Sequence, residues 1–332
     1  MINVLYLPLN AGGPNDQEGT ISAFKAVGVN LSIFDFYLRW SQTRSKHIVE
    51  SEFIAAVKRT QPDLVHMQLQ LTGLLTPECI VAARKSCPQK KIIFTNWSGD
   101  VRNDANPHMV AMSKVIDYTL ISSTGQISLF QAAGAQNVRY WQNGIPPSKV
   151  FPKFLPVSSF KYYVSFVGNV YPANAFLDAQ KRNELVIKLK AHYRDKLGLF
   201  GSGWPQGGVY GKSGAIDSYA INDVFNVSHC LLSISNYNDI SHYFSDRLMA
   251  CITTARPTIS YRFPGYQSYF ANGSDILIAN NFEDIVKCVD FCISNPEKAY
   301  QIGLNGYRKA ISEHTCKSRI IELLQMVGLN NV

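Results

Sequence analysis

NGIPPSKVFPKFLPVSS, residues 143–159, holds four prolines between Pro146 and Pro156 and divides a chain whose two sides follow the same pattern. Proline fixes φ and lacks an N–H, so this run neither continues a helix nor fits a central strand and reads as an extended connection. On its amino side the apolar, β-rich runs INVLYLP, NLSIFDF, DLVHMQL, KIIFTNW, YTLISS and NVRYW alternate with stretches of helical spacing such as IVESEFIAAVKRT and PECIVAARKSC. On its carboxyl side the alternation restarts with YYVSFVG, LGLFG, HCLLSIS, PTISYR and DILIAN. Strands that are apolar on both faces and separated by helices make a parallel, doubly wound sheet, because each parallel crossover needs a helix to return the chain. The expected architecture is α/β, with an amino-terminal domain over 1–155 and a second over 156–332. Two or three helices from Asn295 onward are expected to close the second domain. Two such halves leave a cleft between them, and ligands of open α/β sheets sit outside the carboxyl ends of the strands.

With 332 residues, 46% of them hydrophobic and 17% charged, the chain is long enough for two cores and too apolar for disorder. No run approaches the roughly 18 consecutive apolar residues of a membrane span. The start, MINVLYLPLNAGG, has no basic leader and turns polar by Asn10, so it reads as a first strand and not a signal peptide. The seven cysteines are odd in number, scattered and without CxxC pairs, which favours a reducing cytoplasm over a disulfide framework. Cys288 and Cys292 stand four apart in a helical run with no further ligand beside them, so packing explains them better than metal. The net charge of +8 favours polyanionic partners such as nucleic acid, nucleotides or an anionic membrane surface. The excess is diffuse and slightly heavier in the first half, with no dense basic tract.

Four segments could carry chemistry. The first strand ends in Gly12 and Gly13, where backbone amides can approach an anion, although a plain turn also wants glycine. SFVGNVYPANAFLDAQKR places Gly168 and Asn169 directly after a strand, with Lys181 and Arg182 a short helix later. That order suits a diphosphate, while each cation taken singly reads as solvated surface charge. In HYFSDRLMACITTARPTISY, Ser245 or Asp246 can cap a helix from about Arg247 to Thr254, and a helix start beside a serine and an arginine cradles phosphate. An ordinary capped helix is the competing explanation. In the first half, KIIFTNW runs into Ser98, Gly99, Asp100 and Arg102. A carboxylate at the carboxyl end of a parallel strand is placed to take a proton from an acceptor hydroxyl, and Trp97 could stack on a base or a sugar. The alternatives are that Asp100 caps its own turn or pairs with Arg102.

Taken in order, PDLVH (62–66), NGIPPSKVF (143–151), FVGN (166–169), LFGSGW (199–204), GVYGKSGAIDSYAINDVFNVSHCLLSIS (208–235), SDRLMACITTARPTIS (245–260) and PEKAYQIGLNGYRKAISEHT (296–315) resemble the group-1 glycosyltransferases of GT-B fold. The variant whose second domain is similar to spore-maturation proteins is nearest, and the resemblance is strongest from Asn143 to Thr315. It implies two Rossmann-like domains facing a cleft, with a nucleotide-sugar donor held mainly by the second domain, a UDP-sugar in the first instance. The acceptor is held mainly by the first domain, and transfer needs no obligatory metal or cofactor. By the same resemblance Gly168, Asn169 and Arg182 line the donor loop, with Gly201 and Trp204 near the nucleotide and Tyr210 and Gly211 bordering the base. Ser245 and Arg247 meet the diphosphate, and Gly12 and Gly13 close on it from the other domain. Helix amides and arginines would stabilise the charge on a leaving nucleoside diphosphate.

Two departures from the family stand out. Where relatives often carry a pair of glutamates, the second binding the donor ribose, this chain aligns His242 and Ala250. That leaves a noncatalytic sugar-nucleotide or nucleic-acid binding protein as an alternative. Where many retaining relatives carry a histidine after the fourth strand, this chain reads Asn96, Trp97 and then Asp100, which points to Asp100 as base in an inverting displacement. WSGDVRND, the basic balance and the lack of a membrane element look similar to phage-type enzymes that glycosylate hydroxymethylated pyrimidines in DNA. That acceptor, the favoured one, would be a duplex held by phosphate contacts, with the base flipped out and held by Trp97 or Trp40, and Trp97 and Arg102 as the acceptor-binding residues. The other enzyme reading is a cytoplasmic transferase acting on a glycan or surface-polysaccharide precursor.

Overall fold

A computed structural model describes residues 1–9, 17–70, 73–204 and 218–329. The expected site residues Gly12, Gly13, Tyr210 and Gly211 lie outside the described residues. The chain divides into two compact units, the first made of Met1–Gly144 with Cys316–Val332 and the second of Ile145–Thr315.

The first unit runs β1 (Asn3–Leu7), α1 (Glu18–Ala26), β2 (Asn30–Ile33), α2 (Phe36–Thr43), α3 (Lys46–Thr60), β3 (Leu64–Met67), α4 (Pro77–Lys85), β4 (Ile93–Ser98), α5 (Pro107–Ser113), β5 (Tyr118–Ile121), α6 (Ile127–Ala132) and β6 (Val138–Tyr140). Its sheet has the order β2-β1-β3-β4-β5-β6 with every pairing parallel, Val4 opposite Leu64 and Leu64 opposite Ile93. All four residues of β3 are buried, as a strand covered on both faces requires. Helix starts are closed locally. Asp35, Ser45, Thr76 and Asn106 each accept a backbone N–H from the first turn of α2, α3, α4 and α5.

The second unit runs β7 (Tyr162–Val167), α7 (Ala179–Tyr193), β8 (Leu197–Phe200), α8 (Ser218–Asn226), β9 (Ser228–Ser233), α9 (Asp246–Ile252), β10 (Thr258–Tyr261), β11 (Leu277–Ala279), α10 (Phe282–Ser294) and α11 (Pro296–Glu313). The order is β11-β10-β9-β7-β8, again all parallel. In each sheet the winding direction reverses beside the first strand, between β1 and β3 and between β7 and β9. Ligands of doubly wound sheets bind in the crevice at such a reversal. Cys292 is buried in this unit's core, beside the chain of Leu, Ile and Val side chains from β7, β9 and β10.

Both domain boundaries differ from the sequence expectation, for identifiable reasons. The proline-rich connection does lack regular strand, but it is tied to the second unit from Ile145 on. The Phe151 and Lys153 amides donate to the side chains of Asn222 and Asn226 on α8, and Asn226 donates back to the Phe151 carbonyl. The division therefore falls after Gly144 and not after residue 155. The last helix, α12 (Cys316–Met326), returns to the first unit. Its buried Ile320, Leu323 and Leu324 pack with Val4, Phe24 and Val27, and the Trp141 indole N–H donates to the Arg319 carbonyl at 3.0 Å.

Candidate functional site

The exit of β7 is built from three successive carbonyls, each taken by a different long side chain. Arg247 Nε donates to the Val167 carbonyl, Trp204 Nε1 donates to that of Gly168 at 2.8 Å, and Arg182 Nη2 donates to that of Asn169. Arg247 Nη1 also donates to the Ile234 carbonyl at 2.8 Å, just past the end of β9. The guanidinium thus bridges the carboxyl ends of β7 and β9, where the strand order reverses. Ser245 Oγ lies 3.5 Å from the same Nη1.

Two glycines sit in this turn, and at Gly201 the obstacle to a side chain is backbone. A Cβ on Gly201, whose φ is +124°, would stand 2.2 Å from the Gly168 carbonyl oxygen. A Cβ on Gly168 would meet Arg247 Nη2 at 2.7 Å. The Asn169 side chain closes the turn by accepting the Ser202 amide at 3.0 Å. Gly168, Asn169, Arg182, Gly201, Trp204, Ser245 and Arg247, which the sequence places up to 79 positions apart, therefore form one cluster.

Two guanidinium groups dominate the cluster, with Asp246 beside Arg247 as a neighbouring carboxylate. Arg182 is 1% exposed, against the surface charge that its position alone suggests. Its Nε has no hydrogen-bond partner among the described residues. Arg247 is half-buried. Neither makes an ion pair with a carboxylate among the described residues. Both flank the Phe166 ring, at 6.0 and 4.8 Å from its centroid. Burial, and then the neighbouring Arg247, bring the Arg182 pKa down to about 10, and burial lowers that of Arg247. Both remain cationic at neutral pH. Buried cations without counter-charges are costly, and an anion at this crevice offsets that cost.

The helix after Ser245 differs from its expectation. It spans seven residues, Asp246–Ile252, and the Ser245 hydroxyl makes no cap bond. The Ser245 amide donates instead to Ser235 Oγ at 3.3 Å. Phe166 and Ser235 escaped the sequence reading because each sits in an apolar strand or its exit, where ordinary packing explains the residue. Ala250 lies on α9, partly buried against Phe200 and Phe225, and His242 has a positive φ of 59° beneath Gly265.

In the first unit, Asp100 follows β4 and accepts a hydrogen bond from Arg102 Nη2 at 3.0 Å, with its side chain half exposed. The loop that carries it is pinned, since Ser122 Oγ donates to the Gly99 carbonyl at 2.9 Å and Gln126 donates to that of Arg102. Arg102 keeps 40% of its side chain exposed while it donates to Asp100. Trp97 corrects its assignment. It is 5% exposed, packs edge-on against Trp141 at 5.3 Å, and gives its N–H to the Trp141 carbonyl at 3.0 Å. Its ring belongs to the core and has no free face for a base or sugar. Trp40 is covered by Arg44, 4.7 Å above its ring. Neutral polar side chains gather at the carboxyl ends of this sheet, where Gln68 Oε1, Asn96 Nδ2 and Ser123 Oγ are buried without partners among the described residues.

Residues 181–325 match the family model described as glycosyl transferase-like. No curated protein matches the chain. Among solved structures, HepE of Anabaena in complex with UDP-glucose is 11% identical, covers 99% of this chain and 100% of its own, and superposes with a TM-score of 0.66. A glycosyltransferase from Rickettsia africae is 13% identical over 99% of this chain and 98% of its own, with a TM-score of 0.59. Sucrose-phosphate synthase from Thermosynechococcus elongatus is 11% identical over 99% and 98%, with a TM-score of 0.57. No described helix is long and apolar enough to cross a membrane. The chain has the two-unit, parallel α/β fold of these glycosyltransferases and carries a glycosyl transferase-like domain over residues 181–325.

Proposed function

We propose that the chain is a glycosyltransferase that takes its sugar from a nucleotide-sugar donor, a UDP-sugar, without metal. The observation that carries this reading is the pair of guanidinium groups, Arg182 and Arg247, held by backbone carbonyls and in no ion pair among the described residues, at the reversal of the second sheet. They supply positive charge where a leaving diphosphate needs it, which is the part a divalent cation would otherwise take. The domain match over 181–325 and the UDP-glucose complex of HepE support the same assignment. Gly168, Asn169, Gly201, Trp204 and Ser245 shape the turn, and Gly12, Gly13, Tyr210 and Gly211 keep the roles that the resemblance implies.

Asp100 is the proposed base. It takes the proton of the acceptor hydroxyl as that oxygen bonds to the anomeric carbon. The bond from that carbon to the diphosphate breaks with its electrons on the nucleoside diphosphate, so the configuration inverts. Arg102 holds the carboxylate in place.

For the acceptor, two readings divide on particular residues. A hydroxymethylated pyrimidine in DNA has the charge of +8 in its favour, but Trp97 in the core removes its stacking group. With that stacking group in the core we favour a glycan acceptor in the cytoplasm, where seven unpaired cysteines are at home. The test is mass analysis after incubation with UDP-sugars and EDTA, offering oligosaccharides in one arm and hydroxymethylated DNA in the other. Added sugar mass on an oligosaccharide is expected. Mass on DNA alone selects the other acceptor. Release of UDP in neither arm, with no binding of UDP, overturns the enzyme assignment.

A further inference from the structure

The second unit has a cavity at the opposite end of its sheet from the arginine pair. It opens at the amino ends of β7, β9 and β10, bounded by Phe160 before β7, His229 at the start of β9 and Pro257 before β10. Six residues of β7 separate the two ends, about 20 Å at the rise of an extended strand. Its volume of about 590 Å³ is that of a site for one small molecule.

The walls are mostly hydrocarbon, and one buried cation sits in them. Arg256 is 7% exposed, stacks over the Phe160 ring at 4.3 Å, and donates through Nη2 to the Lys153 carbonyl at 3.1 Å. Its Nε is buried with no partner among the described residues. No carboxylate among the described residues pairs with it. Glu297, the acidic residue of the lining, is exposed and makes no ion pair with Arg256. His229 on the same wall has its pKa lowered by burial and by Arg256, which favours its neutral form. At the mouth, Phe154 and Val157 leave 79% and 53% of their surface in water. The lining carries no glycine turn of the kind that meets a diphosphate.

An uncompensated buried guanidinium wants an anion, and the surrounding carbon surface wants to be covered by more carbon. We propose that this cavity binds one single-chain amphiphile with a carboxylate head of the fatty-acid type, its head toward Arg256 and its chain along Phe160, Leu155 and Val157. This site is separate from the donor site and goes beyond the transfer reaction. The cavity has room for one ligand, so the occupant is a single molecule and not a bilayer surface.

The test is calorimetric titration of the full chain with sodium dodecanoate below its micelle concentration, with dodecanol as the neutral counterpart. One equivalent of dodecanoate is expected to bind, with dodecanol at least tenfold weaker. Arg256→Gln and Val157→Glu are each expected to weaken dodecanoate at least tenfold, and UDP is expected not to compete with it. If Arg256→Gln fails to fold because the Lys153 carbonyl loses its donor, Val157→Glu at its exposed position decides alone. Absence of dodecanoate binding overturns the proposal, as does equal affinity for dodecanol, equal affinity of the Val157→Glu variant, or competition by UDP. Cosedimentation with phosphatidylglycerol vesicles without a one-to-one dodecanoate complex overturns it in favour of a membrane face.

Discussion

Replacing Gly201 by alanine tests the turn at the end of β7 directly, because two separate costs arise there. The first is conformational, since an L side chain at φ +124° leaves the allowed regions, at about 1–3 kcal/mol. The second is contact: the new methyl carbon would lie 2.2 Å from the Gly168 carbonyl oxygen and 2.5 Å from its carbon. Both are backbone atoms, so no side-chain rotation relieves the overlap, and overpacking of this kind costs about 1–3 kcal/mol more. The sum is about 4 kcal/mol, or about 10 °C in the melting temperature of a unit of this size. Moving the Gly168 peptide also pulls its carbonyl from Trp204 and the next from Arg182, so UDP affinity should fall at least tenfold. Gly273→Ala is the control in the same unit. Its φ is +79° and nothing lies within 4 Å of the added carbon, so only strain remains, about 1–2 kcal/mol. Calorimetric melting and UDP titration of both variants give the comparison. A Gly201→Ala protein that melts within about 2 °C of Gly273→Ala and binds UDP as wild type does would refute the packing account of this turn.

Arg182→Met removes a buried charge-assisted donor and should weaken UDP by roughly tenfold to a hundredfold in titration, since such bonds are worth about 1.5–3 kcal/mol. Asp100→Asn should lower kcat by about 10²–10⁴-fold with the donor KM unchanged, measured as nucleoside diphosphate release. Trp97→Phe leaves the Trp141 carbonyl without its donor and should cost about 1–3 kcal/mol in urea unfolding, with the acceptor KM unmoved. A raised acceptor KM at unchanged stability would return Trp97 to the acceptor site. His66, fully buried between Tyr6 and Trp141, has its pKa lowered by burial from 6.5 to about 3. The unfolded chain therefore binds a proton that the folded chain refuses. Stability is full above about pH 6.5 and falls by about 1.4 kcal/mol per pH unit from there toward pH 3. His108 and His229, also lowered by burial, add slope of the same sign, so urea unfolding across pH 7 to 5 should show a steeper slope in wild type than in His66→Asn, and parallel slopes would remove His66 as a cause.

The sequence by itself determined the fold class, because strands buried on both faces must be uniformly apolar and parallel crossovers must be helical. Both are local patterns, readable in LVHM or YYVSFV without knowing any partner. It also located the glycine turn after β7, since glycine immediately after a strand marks a close approach. Where the units divide depends on contacts between distant segments. The amides of Phe151 and Lys153 meet Asn222 and Asn226, about 70 positions away, and α12 finds its apolar partner in α1 at the far end of the chain. The tertiary structure likewise decided the fate of Trp97 and Arg182. Sequence gives the chemistry of an indole or a guanidinium but not which way it points. Trp97 turned inward to Trp141, and Arg182 found a carbonyl and an aromatic ring in place of water. Exposure is set by neighbours from distant elements, and no pattern along the chain encodes it at a single position.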